Sequence, residues 1–180
     1  MADASPLDDW IDGMQLRTVD RDEILVHAGA RSRSVFLLQS GLVRLYYTSE
    51  DGRERNKAFY GAGAVTGPVS AIISDRPAGF SIQALEPCAL IQADLEQLLA
   101  IAPTHEAISR LVIKLLADAF IRNEQREALL LTCNAEQRYQ WLLEHQAELS
   151  ERIPQYHIAS YLGVDAVSLS RLKRKLEHGG

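Results

Sequence analysis

The sequence predicts an α+β protein built in three successive parts: a β-structured front half, one long helix and a short helical bundle. Short β-branched and apolar runs punctuated by glycine fill the front half. Residues 104–131 then contain neither Pro nor Gly, and apolar residues recur there at helical spacing. The chain closes on two short amphipathic segments joined by a glycine.

The front runs are EILVH at 23–27, SVFLLQ at 34–39, LVRLYYT at 42–48 and the segment 55–59. Gly29, Gly41, Gly52, Gly61 and Gly63 divide them. Glu50-Asp51-Gly52 between two runs predicts a hairpin, because glycine takes positive φ without a Cβ clash. Residues 80–85 and 88–93 read as a second hairpin turning at Glu86-Pro87. So many short strands at close spacing favour a barrel or sandwich over a doubly wound sheet.

The long helix carries Ile108, Leu111, Val112, Leu115, Leu116 and Ala119 on its apolar positions. At 1.5 Å per residue it runs about 40 Å. That exceeds what one small barrel covers, so part of it is expected to pack on another chain, with those six residues as the interface. The alternative is a helix lying across its own barrel. A further helix starts near Asn134, which forms a capping box with Gln137 and carries Tyr139, Leu142 and Leu143 as its apolar stripe.

The most informative stretch is IPQYHIASYLGVDAVSLSRLKRKL at 153–176. Pro154 suits a first helical turn, where its missing N–H costs nothing. Ile158, Ala159 and Leu162 form the buried face of a short helix that Gly163 stops. Asp165 caps the next helix, whose Leu169, Leu172 and Leu176 fall on one face. Two short helices, a glycine turn and a shared apolar core are the pattern of a helix-turn-helix. With the leucines inward, Val167, Ser170, Arg171 and Arg174 point outward, flanked by Lys173 and Lys175. Such a helix fits the major groove of double-stranded DNA. Ala166, Val167, Ser168, Ser170, Arg171, Lys173, Arg174 and Lys175 are its candidate contacts, with Arg171 placed to pair with guanine or a phosphate.

Composition limits the other possibilities. The 180 residues are 47% hydrophobic and 24% charged, enough to bury a core. No apolar run reaches the roughly 18–20 residues of a membrane span, and the acidic start lacks a signal-peptide pattern, so a cytoplasmic location is expected. Cys88 and Cys133 stand alone, too few and too far apart for a disulfide framework or a CxxC metal site. The net charge of −5 argues against nucleic acid until it is divided along the chain. Residues 151–180 hold five Lys and Arg against three acids, and the remainder holds 14 against 21. Four of those five bases lie within positions 171–175. An acidic body repels DNA everywhere except at that end.

On these residues the chain resembles the Crp/Fnr superfamily of bacterial transcription regulators. VFLLQSGLVRLYYTSEDGRERNKAFYGAGAVTG is similar to the family's effector-domain core, and QYHIASYLGVDAVSLSRLKRKL to its helix-turn-helix. The resemblance implies an N-terminal double-stranded β-helix (a jelly-roll, cupin-like β-roll of the cyclic-nucleotide-binding type) over 1–103. A dimerisation helix over 104–131 and a DNA-binding domain over 132–180 follow. It further implies a homodimer on a two-fold operator, recognition helices roughly 34 Å apart, RNA polymerase as a further partner, and a small-molecule effector.

Several positions depart from the family pattern. Relatives that bind cAMP carry Gly-Glu in the pocket loop, and Arg-Ser or Arg-Thr some ten positions on. The effector-pocket positions here are Gly67, Pro68, Arg76, Ala78 and Gly79, so the Glu is absent and the arginine is displaced or missing. Burying a cyclic phosphate without a paired cation is costly, so cAMP is not expected as a tight ligand, and no cofactor is assigned. An iron–sulfur centre lacks its cysteine cluster. His27, His105, His145, His157 and His178 are too scattered to single out a haem ligand. Val167 occupies the slot where many relatives place Glu, which changes the expected operator. A wing after the recognition helix is also not expected, which implies fewer phosphate contacts.

Two other readings compete. A sensor or scaffold that has lost DNA binding would share the fold. A cupin-like enzyme would need two or three histidines with a carboxylate on neighbouring strands, and only His27 lies among the strands. No nucleophile motif or P-loop is present, so no catalytic residue and no metal ligand is assigned.

Overall fold

The computed structural model describes residues 5–178; the sequence-read outer limits of the first and last parts, residues 1 and 180, lie outside that range. A short helix α1 (Pro6–Asp12) precedes eight strands. These are β1 (Gln15–Val19), β2 (Ile24–Val26), β3 (Ser34–Ser40), β4 (Val43–Thr48), β5 (Glu54–Tyr60), β6 (Val65–Thr66), β7 (Ser81–Ala84) and β8 (Cys88–Asp94). They form two four-stranded antiparallel sheets, ordered β1-β8-β3-β6 and β2-β7-β4-β5. The sheets close on Phe36, Leu38, Val43, Leu45, Ile82, Ala84 and Leu90, all at most 2% exposed. This is the expected double-stranded β-roll, with a fold class of α+β.

The Glu50-Asp51-Gly52 hairpin forms as the sequence predicts: β4 pairs with β5, and Ser49 N–H donates to the Arg53 carbonyl at 3.0 Å. The second hairpin does not form. β7 pairs with β2 and β4, whereas β8 pairs with β1 and β3. No residue of 80–85 or 88–93 is exposed, so both segments need neighbours on two sides. Each becomes the inner strand of a different sheet, and Glu86-Pro87 carries the chain across.

Helix α2 (Val69–Ile73) lies between β6 and β7, and α3 (Leu95–Ile101) follows β8. Asp94 caps α3 by accepting from Gln97 N–H at 2.9 Å. A 3-10 turn (Ala102–Thr104), seeded by Pro103, delays the long helix α4 (Glu106–Thr132) to a start two residues beyond the sequence reading. Asn134 and Gln137 do form the capping box that opens α5 (Ala135–His145). Helices α6 (Ala147–Arg152), α7 (Gln155–Leu162) and α8 (Ala166–His178) complete the chain.

The roll and the C-terminal helices share a core. Leu42, Phe59 and Leu85 from the roll pack with Tyr139, Leu142, Ile153, Ile158 and Leu162 from the bundle. The Phe59 and Tyr161 rings meet at 5.3 Å between centroids. No helix among the described residues is long and apolar enough to cross a membrane.

Candidate nucleic-acid interface and effector pocket

The turn between α7 and α8 follows from one residue. Gly163 takes φ +71°, a left-handed conformation that a Cβ disfavours. It lets Val164 N–H reach the Ala159 carbonyl at 3.0 Å and its own N–H reach Ser160 at 3.2 Å, which is the full Schellman closure. Asp165 then opens α8: Ser168 N–H donates to its carboxylate at 2.7 Å, and the Ser168 hydroxyl donates at 2.9 Å. These bonds hold the Asp165 carboxyl below its ordinary range.

Leu169 is 1% exposed and joins Ile158, Ala159 and Leu162 in the shared core, with Leu176 packed against it. The opposite face of α8 stands in solvent. Val167, Ser170, Arg171 and Arg174 are exposed, as is Ala166, which begins the helix. Arg174 Nε donates to the Ser170 carbonyl at 3.5 Å. The remaining candidates are tied down within the chain. Ser168 is engaged by Asp165, half-buried Lys173 donates to Gln155 at 3.2 Å, and Lys175 pairs with Glu136 of α5 at 2.6 Å. Arg171 is the basic residue of this face for which no internal hydrogen bond or ion pair is found among the described residues.

The five effector-pocket residues differ in burial. Gly67 and Pro68 are buried behind β3, and a Cβ at Gly67 would lie 2.9 Å from Val35 Cγ1, so glycine is required by close approach. Ala78 is buried, with its N–H on the Ala30 carbonyl at 2.8 Å, whereas Gly79 is exposed. The Arg76 side chain is exposed. Next to them Phe80 is buried, edge-on to Tyr47 at 5.9 Å between centroids, with Lys57 5.8 Å from its ring.

The six residues read as a dimer face divide between two sides of α4. Val112 is buried against α3, Ile108 packs on the same cluster, and Leu115 and Ala119 are half-buried. Only Leu111 and Leu116 are exposed. The outward apolar stripe is instead Ile113, Leu116, Phe120 and Ile121, of which Ile113 and Phe120 are 66% and 63% exposed. Both stripes obey helical spacing, so periodicity alone cannot say which one faces the roll.

One polar joint was missed by the sequence reading. Arg44, 5% exposed in the middle of β4, donates to Gln83 at 2.8 Å and Asn56 at 3.2 Å and pairs with Glu54 at 2.6 Å. Asn56 reaches α7, donating to the His157 carbonyl at 3.0 Å and lying 3.1 Å from its Nδ1. Ser160 accepts from Asn56 N–H and donates to the Glu54 carbonyl. Burial first, and then the Arg44 charge, push the His157 pKa down to about 4. An arginine inside the apolar run LVRLYY was the available signal.

Among the described residues no three His, Cys, Asp or Glu side chains gather as a metal site requires. Cys88 is buried and Cys133 half-buried, and both are free.

Residues 16–105, half of the chain, match the family model of the cyclic nucleotide-binding domain. The regulatory protein HlyX of Actinobacillus pleuropneumoniae is 24% identical over 175 residues, spanning 91% of this chain and 72% of its own length. The fumarate and nitrate reduction regulatory protein of Vibrio cholerae is 26% identical over 167 residues, spanning 87% and 66%. Among solved structures, FixK2 from Bradyrhizobium japonicum superposes with a TM-score of 0.80 at 21% identity, covering 93% of this chain and 86% of its own. The c-di-GMP responsive regulator CLP of Xanthomonas campestris gives 0.76 at 16% identity, covering 99% and 93%.

Proposed function

The chain belongs to the Crp/Fnr superfamily of regulators, with a cyclic nucleotide-binding domain at its front, and from that premise we propose a homodimeric transcription regulator that binds double-stranded DNA through α8. One observation carries the reading. Val167, Ser170, Arg171 and Arg174 stand outward on α8 while Leu169 anchors the helix in the core at 1% exposure. In the major groove Arg171 reads a guanine edge or a phosphate, and Val167 meets a thymine methyl. Ser170 and Arg174 hold the flanking backbone. The dimer forms along α4 through Ile113, Leu116, Phe120 and Ile121, a stripe too apolar to leave in water. Its two-fold axis sets two copies of α8 about one DNA turn apart.

The effector segment favours something other than cAMP. Gly67-Pro68 and Ala78-Gly79 supply neither a carboxylate for a ribose nor a cation for a cyclic phosphate, and Arg76 points to solvent. Calorimetric titration with cAMP is expected to show no micromolar binding; micromolar binding contradicts this part of the proposal.

The test of the main reading is a footprint of the full chain on the promoter region beside its own gene. Protection of two half-sites about 10 bp apart centre to centre supports it. Binding with no preferred site at any salt concentration overturns it in favour of a regulator that has lost specific DNA recognition.

A further inference from the structure

We propose, on the DNA reading above, that Asp165, which caps α8, reads the exocyclic amine of a cytosine and so fixes one base pair of each half-site. A recognition helix turns its N-terminal residues to the base edges. Asp165 immediately precedes the first residue of α8 and is exposed, as are Ala166 and Val167 beside it. A carboxylate therefore enters the groove with this end of the helix.

Its charge is fixed and uncompensated. Ser168 donates to the carboxylate twice, through its N–H at 2.7 Å and its hydroxyl at 2.9 Å. Those bonds keep the carboxyl ionised well below neutral pH. They also commit the Ser168 hydroxyl proton, which leaves that side chain none to donate to a phosphate. Among the described residues no lysine or arginine pairs with Asp165. The first cation along the outward face is Arg171, six positions on and about 9 Å further along the helix axis. Ala166 and Val167 carry no polar side-chain group, so neither supplies a donor at this end.

The DNA must therefore supply the partner. A carboxylate that gives up water in the groove needs a donor in return. Phosphates offer only acceptors and negative charge, which repel it. In the major groove guanine shows two acceptors, and thymine an acceptor beside a methyl group. Adenine shows its amine next to the N7 acceptor, whereas cytosine shows the N4 amine with no acceptor beside it. Cytosine is the base whose edge satisfies Asp165 without opposing its charge. At any other base the same carboxylate is a cost, so it discriminates by repulsion as well as by attraction.

The test scans the footprinted operator with the full chain by fluorescence anisotropy, changing each C·G pair of the half-sites to T·A in turn. Wild type is expected to lose about tenfold in affinity at a pair where Asp165→Asn and Asp165→Ser lose about twofold or less. Asn and Ser cap a helix as Asp does, so the Tm of both variants should stay near that of wild type. Asn also presents an acceptor and a donor, and so tolerates either pair. Both variants should bind an unrelated duplex about threefold more tightly, because a charge facing the phosphates is gone. A wild-type chain with no preferred site fails the DNA reading, and this contact with it. A footprint that Arg171→Ala weakens, with an unchanged base-pair scan in Asp165→Asn, overturns this contact alone. So does an unchanged affinity of both variants for the unrelated duplex.

Discussion

Asn56 of β5 donates its side-chain N–H to the backbone carbonyl of His157 in α7 at 3.0 Å, which ties the β-roll directly to the first helix of the helix-turn-helix. The bond is buried and belongs to a joint completed by Arg44, Glu54 and Ser160. The orientation of the helix-turn-helix against the roll is thus set by polar groups as well as by the shared apolar core. Asn56→Ala leaves the His157 carbonyl and the Arg44 guanidinium each short of a partner. A loss of about 1–3 kcal/mol is expected. Urea unfolding followed by tryptophan fluorescence and by far-ultraviolet circular dichroism reads it.

His157 gives this joint a pH dependence. Its Nδ1 faces the Asn56 amide and the Arg44 guanidinium, both donors, so the ring is held neutral with Nδ1 accepting. Glu54 and Asp22 oppose that effect only in part. The folded pKa of about 4 lies below the ordinary 6.5, so the unfolded chain takes up the proton first as pH falls. The stability from a neutral His157 is therefore complete above about pH 6.5 and declines down to about pH 4, by at most about 3 kcal/mol. His157→Gln, which does not titrate, should flatten stability across that window relative to wild type.

The two stripes of α4 make opposite predictions. Phe120→Asp, on the exposed side, should leave the secondary structure intact and convert the protein to monomer in sedimentation velocity. Val112→Asp, buried at 8% exposure against α3, should unfold the protein instead. A folded monomer from Val112→Asp and an intact dimer from Phe120→Asp would exchange the roles of the two faces.

Gly163→Ala tests the turn of the motif. The φ of +71° strains any L side chain, and the new Cβ would lie 3.3 Å from Arg138 Nη1. A cost of about 1 kcal/mol or more is expected in thermal unfolding. An unchanged or higher Tm would mean that the turn relaxes to another conformation.

Much of this was legible in the sequence because it is local. The Asn134 capping box, the Asp51-Gly52 hairpin, the Gly163 stop and the Asp165 cap each depend on residues within a few positions of one another. What was not legible depends on pairings across the chain. The segments 80–85 and 88–93 look like partners because they are adjacent, yet each is claimed by strands that come much earlier. The apolar positions of α4 were visible, but which stripe the roll covers is decided by α3. Lys175 reads as a free base, and only the packing of α5 against α8 brings Glu136 to it. Arg44 and His157 lie 113 positions apart, and their contact has no local signature beyond an arginine in an apolar strand.

If α8 reads DNA through its outward face, Arg171, exposed on that face, carries a contact whose loss is measurable. Binding of the full chain and of Arg171→Ala to the footprinted promoter fragment, by fluorescence anisotropy at several salt concentrations, measures it directly. Arg171→Ala is expected to lose about 1–3 kcal/mol on its operator and to retain its fold. Affinity and footprint unchanged in that variant would contradict the assignment of α8 as the recognition helix.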